Sequence, residues 1–206
     1  MALDTITEPQ ELREHFGEPL HIAVAVEKPQ LDKHHRHFIE HSPFICLAST
    51  GAAGQPAVSP KGDAPGFVKV LDEKTLLIPD RPGNNKVEGF GNIVENPKVS
   101  LIFFIPGVME TLRVHGEAEI VLDTDLLKLG KAGSKLPATA TLIKVTKAYM
   151  HCGKALIRSK LWDPDQHIAK GVIAPFGQVI KDQSGVPKSR EEVQGIVDQE
   201  YQDNLY

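Results

Sequence analysis

Apolar and polar residues alternate with a period of two through much of the middle of the chain, and this pattern predicts β-strands. In Thr111–Leu122, for example, Leu112, Val114, Ala118 and Ile120 fall on one side and charged residues on the other. The other predicted strands are Phe44–Ser49, Pro56–Ser59, Phe67–Leu71, Thr75–Ile78, Val99–Ile105 and Ala138–Cys152.

One of these strands carries a more specific expectation. Val99–Ile105 is continuously apolar over five residues, which predicts a strand covered on both faces, in a barrel wall or at a subunit contact. The strand-like character of Ala138–Cys152 rests on Ile143, Val145 and Tyr149.

Helical periodicity is found near both ends of the chain and between strands. The predicted helices are Pro9–Phe16, Leu31–His41, Lys86–Val94, a short one near Thr124–Leu129, and a terminal one within Ser184–Tyr206. Strand–helix alternation does not recur, so we expect a mainly β (α+β) fold, a closed or split antiparallel β-barrel of six or more strands with peripheral helices. The predicted division is residues 1–43 for N-terminal helices, 44–162 for the barrel and 163–206 for a C-terminal extension with a terminal helix.

Composition narrows the class of protein. The chain has 206 residues, 41% of them hydrophobic, which is enough for one good core. Its formal charge is −4 and it has no block of like charges, so nucleic acid is not an expected partner. No apolar run approaches the roughly 20 residues that span a bilayer, and no export signal begins the chain, so we expect no membrane partner. The two cysteines lack metal or redox spacing, which favours a cytoplasmic protein with reduced thiols.

The turn between Ile78 and Lys86 is the first candidate site. Asn85 and Glu88 have the spacing of a capping box, so a helix is predicted to begin at Asn85 with its free N–H groups facing the turn. Lys86 in the first turn opposes the helix dipole unless an anion lies there, so a phosphate would explain it. The alternative is a solvated lysine beside an ordinary Pro-Gly turn.

A second candidate is Ser59-Pro-Lys-Gly-Asp63, which places a hydroxyl, an ammonium and a carboxylate after a predicted strand. Gly62 would allow a ligand close to the backbone, so the segment resembles a phosphate or ribityl contact. A polar turn between strands is the equal alternative.

Cations also gather near the single tryptophan, Trp162, where Lys154, Arg158 and Lys160 precede it. Arginine both stacks on rings and binds phosphate, and tryptophan packs against heteroaromatic rings, so a flat anionic ligand would suit this segment. The alternative is a tryptophan that anchors the C-terminal segment while the cations remain in solvent.

Other chemistries lack their motifs. The dinucleotide fingerprint, the nucleotide-triphosphate loop and the nucleophile elbow of hydrolases are all missing from the sequence. His37 and His41 are one helical turn apart, but no acidic or cysteine ligand appears spaced to complete a metal shell, so no metal is expected.

Taken in order, these residues resemble the pyridoxamine-5′-phosphate-oxidase-like family of split-barrel flavoproteins. The resemblance runs from about Phe38 to Trp162 and is carried by the hairpin leading to Asp63, the strand–turn–helix Leu76–Val94, Phe103-Phe104, and Leu112-Arg-Val-His-Gly-Glu117. It implies FMN in a cleft between the subunits of a homodimer. The implied cofactor-binding residues are Ser59, Lys61, Asp63, Arg81, Asn84, Asn85, Lys86, Thr111, Arg113, Arg158 and Trp162.

The resemblance implies an FMN-dependent oxidoreductase that acts on a small-molecule redox substrate. Because the cofactor carries the redox chemistry, no catalytic side chain is named. The alternatives are a non-catalytic flavin- or tetrapyrrole-binding protein and a deazaflavin (F420)-dependent reductase. The vitamin-forming activity is not expected, because Gln194–Tyr206 lacks the tryptophan-rich, arginine-containing segment of that oxidase.

Overall fold

The computed structural model describes residues 3–206, so the first two residues of the predicted N-terminal segment lie outside the described residues. That segment contains α1 (Pro9–Phe16), α2 (His21–Ala25) and α3 (Lys33–His41). No residue of α1 or α2 is buried, whereas α3 buries Phe38 and Ile39 in the main core. The predicted helices Pro9–Phe16 and Leu31–His41 are therefore confirmed. Of α1, α2 and α3, only α3 buries residues in the core.

Seven strands form one antiparallel sheet in the order β2-β1-β5-β6-β7-β4-β3. The order does not return from β3 to β2, so among residues 3–206 hydrogen bonds do not close the sheet into a barrel. The predicted antiparallel sheet with surrounding helices is confirmed, and its closure is not. The strands are β1 (Phe44–Thr50), β2 (Pro56–Gly62), β3 (Lys69–Val70), β4 (Thr75–Pro79), β5 (Lys98–Phe104), β6 (Thr111–Val121) and β7 (Ala140–His151).

One large core lies on one face of this sheet, where alternate residues of the strands point inward. Leu112, Val114 and Ala118 of β6 are fully buried, as the alternating pattern predicts. Helix α4 (Glu88–Glu95) covers part of this core with Ile93, and contacts β1, β2 and β6. The helix thus lies close to the strands that carry the candidate site.

The inward face of β7 changes part of the way along the strand. His115 of β6 is opposite Lys147 and Gly116 is opposite Val145, so Thr146 is an extra residue in β7. An extra residue shifts the alternation of faces by one position. As a result Ala148 is buried after the bulge, and Tyr149 does not share the buried face of Ile143 and Val145.

Strand β5 is covered on one face only within the single chain. Val99, Leu101 and Phe103 are buried, while Ile102 and Phe104 on the other face are half-buried. The expectation of a strand covered on both faces is therefore not met by this chain alone, because continuous apolar sequence does not by itself provide a second layer.

The remaining helices lie after β6. They are α5 (Thr124–Leu129), α6 (Lys154–Ser159), a 3₁₀ turn (Pro164–Gln166), α7 (Phe176–Ser184) and α8 (Arg190–Asp203). Helices α7 and α8 pack on each other, with Gly177 against the backbone of Gln194. The predicted terminal helix is confirmed, and within residues 3–206 no helix is long and apolar enough to cross a bilayer.

Candidate functional site

A cavity of about 640 Å³ opens between β2 and the turn that joins β4 to α4. Its polar wall combines two segments that are distant in sequence and were both predicted as candidate sites. The predicted residues that line it are Ser59, Lys61, Arg81, Asn84, Asn85 and Lys86. We refer to this cavity as the cleft.

Strand β2 brings its polar residues to the cleft through the pleat of the sheet. Successive side chains of a strand point to opposite faces, so Ser59 and Lys61 lie on the same side. Both are half-buried, and so is Ala57, while the residues between them are exposed. The Ser59–Gly62 segment is thus part of a strand paired with β1, and the prediction that it follows the strand is wrong.

Two ion pairs connect the end of β2 to the end of β4. Lys61 Nζ lies 3.3 Å from Asp80 Oδ1, and Arg81 Nε donates to Asp63 Oδ2 at 2.6 Å. Strands β2 and β4 are not neighbours in the hydrogen-bonded sheet, so these side chains connect strands that no backbone ladder joins. All four side chains are at most a quarter exposed, so water screens these pairs less than surface pairs.

Arg81 is held by more than one partner. Besides Asp63, its guanidinium donates to the carbonyl of Gly130 at 2.8 Å, and it lies 5.9 Å from the centre of the Tyr206 ring. The Tyr206 hydroxyl donates to the other Asp63 oxygen at 2.9 Å. Burial acts to raise the pKa of Asp63, but hydrogen bonds from the Ala64 amide, Arg81 and Tyr206 together lower it below its ordinary value.

The turn before α4 has a backbone that differs from the predicted capping box. Asn85 has φ 55° and Val87 has φ 47°, so the chain is left-handed at both positions. Val87 rather than Asn85 precedes the first helical residue, Glu88, and no side chain caps the helix. Lys86 therefore stands before the helix and not in its first turn, because a right-handed helix cannot include left-handed residues.

This turn stores conformational strain at the wall of the cleft. A β-branched residue in the left-handed region is unusual, and such a conformation costs about 1–3 kcal/mol. Val87 holds it nonetheless, and the Asn84 side chain accepts a hydrogen bond from the Lys86 amide at 3.1 Å. Strained positions of this kind cluster at binding sites, and here the strain leaves the first amides of α4 without a cap.

Apolar residues also line the cleft. They include Phe90, whose ring centre lies 4.8 Å from Lys61 Nζ, and the buried residues Leu47 and Phe67. A cavity with an apolar wall and a few convergent cations is suited to a flat ligand that ends in an anionic group.

The family model described as pyridoxamine 5′-phosphate oxidase matches residues 31–152, which is more than half of the chain. The chain belongs to this family. The matched residues include all seven strands, α4 and every predicted residue that lines the cleft. Arg158, Trp162 and Tyr206 lie beyond the match, so the family assignment says nothing about them. No curated protein matches the sequence.

Solved structures that are similar to parts of this chain come from several bacteria. HupZ of Group A Streptococcus is 21% identical, with a TM-score of 0.47 over 58% of this chain and 93% of that one. A putative pyridoxamine 5′-phosphate oxidase of Lactobacillus delbrueckii is 25% identical, with a TM-score of 0.47 over 59% and 95%. An FMN-binding protein of Syntrophomonas wolfei is 9% identical, with a TM-score of 0.42 over 68% and 95%.

Four residues that the resemblance implied do not line the cleft of their own chain. Thr111 and Arg113 are on β6, which β1 and β5 separate from β2. Trp162 is half-buried and donates from Nε1 to the carbonyl of Val108 at 2.9 Å, and Arg158 is exposed on α6. Asp63, a fifth implied residue, lines a neighbouring cavity together with Arg81.

Sequence reasoning missed three residues of the site. Asp80 is adjacent to Arg81 and could have been found as a candidate partner for a cation. Phe90 lies within the predicted helix Lys86–Val94, but its place beside Lys61 depends on how α4 packs. Tyr206 is 143 residues away from Asp63, and no local pattern predicts this contact.

A group of possible metal ligands lies on α3. The sequence predicts no acidic ligand spaced to accompany His37 and His41, but the side chains of His37, Glu40 and His41 offer ligand atoms within 4.8 Å of one another. All three are exposed, and none lies at the cleft. The expectation of no metal stays a prediction.

Proposed function

We propose that this protein is an FMN-dependent oxidoreductase that acts as a homodimer, with the flavin phosphate in the cleft. The observation that carries the proposal is the convergence of Lys61, Arg81 and Lys86 on one cavity beside the uncapped start of α4. Phosphate groups bind at such helix starts because free N–H groups and the helix dipole both favour an anion.

The residues present fit FMN in chemistry and in size. The cleft, at about 640 Å³, falls within the range of roughly 300–1,000 Å³ for small-molecule sites. Its cationic end suits a phosphate, the Ser59 hydroxyl suits a ribityl chain, and the wall with Phe90 suits an aromatic ring. When bound, FMN supplies the hydride or electron transfer, so the chain need only bind and orient it.

Lys61 has to exchange one partner for another in this proposal. Its ammonium is paired with Asp80 at 3.3 Å, so a phosphate would compete with that carboxylate. Lys86 is exposed and forms no ion pair among residues 3–206, so its charge is available to the phosphate at once. Arg81 is held by Asp63 and Gly130 and acts mainly to fix the turn.

A homodimer also explains why several residues that the resemblance implies do not line the cleft of their own chain. Since Arg113, Arg158 and Trp162 do not line the cleft of their own chain, we assign the contacts that they make with the flavin to the second subunit. Thr111 is 2% exposed, so it offers the second subunit no accessible side chain. The half-buried face of β5 with Ile102 and Phe104 is the surface that we assign to the subunit contact.

The first test is the visible spectrum of the freshly purified protein, followed by titration of the flavin-free protein with FMN. Lys61→Gln with Lys86→Gln removes two charged donors, each worth about 1.5–3 kcal/mol, so we expect FMN binding about 100-fold weaker or more. Lys98→Gln, on an exposed residue outside the cleft, serves as the control. Equal affinity in both variants would refute the phosphate site.

Further measurements separate the cofactor, the assembly and the activity. The cofactor that co-purifies distinguishes FMN from FAD and from F420. Light scattering with saturating FMN tests the dimer, since a monomer that binds FMN fully would exclude a pocket shared between subunits. Oxidation of NADH or NADPH with dye or oxygen as acceptor tests turnover, and stable flavin without turnover would favour a carrier.

A further inference from the structure

The last residue of the sequence, Tyr206, lies in the wall of the cleft. Leu205 and Tyr206 both line the cleft, and Tyr206 also lines the neighbouring cavity that contains Asp63. Phe67 and Arg81 are the other residues that line both cavities, so the Tyr206 ring is part of the partition between them. Removal of this ring would open the cleft toward the neighbouring cavity.

Three contacts hold Tyr206 in this position, each through a different part of the residue. Its hydroxyl donates to Asp63 Oδ1 at 2.9 Å, and its ring centre lies 5.9 Å from the guanidinium carbon of Arg81. Its main-chain oxygen accepts a hydrogen bond from Lys135 Nζ at 2.6 Å. Asp63 follows β2, Arg81 follows β4 and Lys135 precedes β7, so three separate segments of the chain converge on Tyr206.

Few hydrogen bonds attach the preceding helices to the rest of the protein. Helices α7 and α8 pack on each other, and each buries a single residue, Gly177 in α7 and Val193 in α8. Within the described part of the chain, the hydrogen bonds that join residues 164–206 to residues 3–162 are all made by Tyr206. This end of the sequence is therefore held to the cleft by its final residue.

Contacts of this kind allow the residue to be released. Leu205 is 64% exposed and Tyr206 is 44% exposed, so undocking them would uncover little apolar surface. Polar contacts at exposed positions are individually weak, because water screens the charges and competes for the hydrogen bonds. Three such contacts together favour the docked position without making it permanent.

We propose that residues 204–206 form a releasable strap that closes one side of the cleft through Tyr206, and that its release speeds both the entry and the exit of the flavin. This proposal rests on the proposed FMN site, because the strap controls access to it. When docked, Tyr206 contacts both members of the Asp63–Arg81 pair beside the cleft. When released, it opens the cleft toward the neighbouring cavity.

The first test measures docking of the strap without any flavin. The protein expressed from this sequence ends at Tyr206, and carboxypeptidase A removes a terminal tyrosine only from the undocked state, so the rate of tyrosine release reports the undocked fraction. Lys135→Gln, at a residue that does not line the cleft, removes the partner of the main-chain oxygen and should raise this rate about two- to fivefold.

Lys131→Gln is the matched control for Lys135→Gln. Lys131 belongs to the same loop and is also exposed, but its side chain forms no hydrogen bond with Tyr206. The rate of tyrosine release should therefore be the same in Lys131→Gln as in the wild type. Equal rates in the two lysine variants would overturn the strap.

The second test measures FMN entry and release by stopped-flow fluorescence in the wild type, Lys135→Gln and Tyr206→Ala. A strap that closes the cleft slows both steps by the same factor. Both rates should therefore rise together, about fivefold or more in Tyr206→Ala, while the Kd changes less than about twofold. A rise in the release rate alone would show that Tyr206 is an ordinary flavin contact. That result, or unchanged rates, would overturn the strap.

The two tests distinguish failure of the strap from failure of the FMN site. If FMN binds and both rates are the same in all variants, the strap is refuted and the FMN site stands. If no FMN binds, the FMN site is refuted, and control of flavin access is refuted with it. Faster tyrosine release in Lys135→Gln than in Lys131→Gln would then still support the docking of Tyr206.

Discussion

The cleft and strand β6 both carry polar side chains that the family resemblance connects with a flavin, but the chain treats them differently. In the cleft, Lys61 and Arg81 have carboxylate partners at 3.3 Å and 2.6 Å. On β6, the buried Oγ1 of Thr111 has no hydrogen-bond partner, and Arg113 forms no ion pair within residues 3–206. The charged side chains of the cleft are thus paired within one chain, whereas on β6 Thr111 Oγ1 has no hydrogen-bond partner and Arg113 has no ion pair among residues 3–206.

This difference suggests what each region needs for function. The cations of the cleft are already positioned, so an anion need not order their side chains, but it has to compete with Asp80 for Lys61. An orphaned buried hydroxyl, by contrast, is a cost to the folded chain, and Thr111 at 2% exposure is out of reach of a ligand in this conformation. The predictions below test this contrast, beginning with the largest effect.

Arg81→Ala should be the most destabilising change. It leaves Asp63, a side chain that is 8% exposed, without its cation, and breaking such a pair costs about 3–5 kcal/mol. Arg113→Ala on β6 should cost about 1 kcal/mol or less, since no ion pair is lost. Urea unfolding of the flavin-free protein measures both, and comparable losses would show that the cleft is no more preassembled than β6.

The comparison also shows how far the sequence predicts this fold. Local patterns gave the bounds of α1 and the presence of β1 and β2, because these depend on neighbouring residues. They did not reveal the one-residue bulge at Thr146 of β7, and the helix start predicted at Asn85 was wrong because a left-handed backbone delays the helix. Neither a bulge nor a positive φ at a residue other than glycine leaves a reliable mark in sequence.

The candidate site was predictable to the extent that it is local. The segments that carry Lys61 and Lys86 were each found by their own composition, and the fold brings them to one cavity. The hydrogen bond from Tyr206 to Asp63, and the neighbouring cavity that Asp63 lines with Arg81, depend on chain segments that meet only after folding. The roles of Thr111 and Arg113 stay predictions, because neither residue lines the cleft of its own chain.

Asp63→Asn should produce a smaller, pH-dependent loss. Hydrogen bonds outweigh burial and hold the pKa of Asp63 below its ordinary value of 3.8, so its charge contributes stability above that pH. The variant should lose about 1.5–3 kcal/mol near neutral pH. The difference should vanish as pH falls below 3.8 through the folded-state pKa, because the native carboxylate is then protonated. Urea unfolding at several pH values measures this, and a pH-independent difference would contradict it.

Thr111→Val should stabilise the flavin-free protein, whereas the substitutions of Arg81 and Asp63 should destabilise it. The valine has nearly the shape of threonine and removes a buried hydroxyl without a partner, so the flavin-free protein should gain about 1 kcal/mol. Thr146→Val is the control, since it removes a hydroxyl that donates to the His115 carbonyl at 3.2 Å and should not stabilise. If the hydroxyl of Thr111 serves the flavin, FMN affinity should fall in the same variant. A loss of stability would mean that Thr111 already has a partner.

His115→Gln should have the smallest effect, and only in acid. Burial, followed by the charges of Lys147 and Arg113, lowers the pKa of His115 below 6.5. The unfolded chain then binds a proton at a higher pH than the folded one, so wild-type stability falls as pH drops below 6.5 through the folded-state pKa. The Gln variant cannot take up this proton, so its stability should decline less between about pH 8 and pH 5. Equal declines would show that His115 is as well solvated in the folded protein as in the unfolded chain, and that β6 is more open than the cleft.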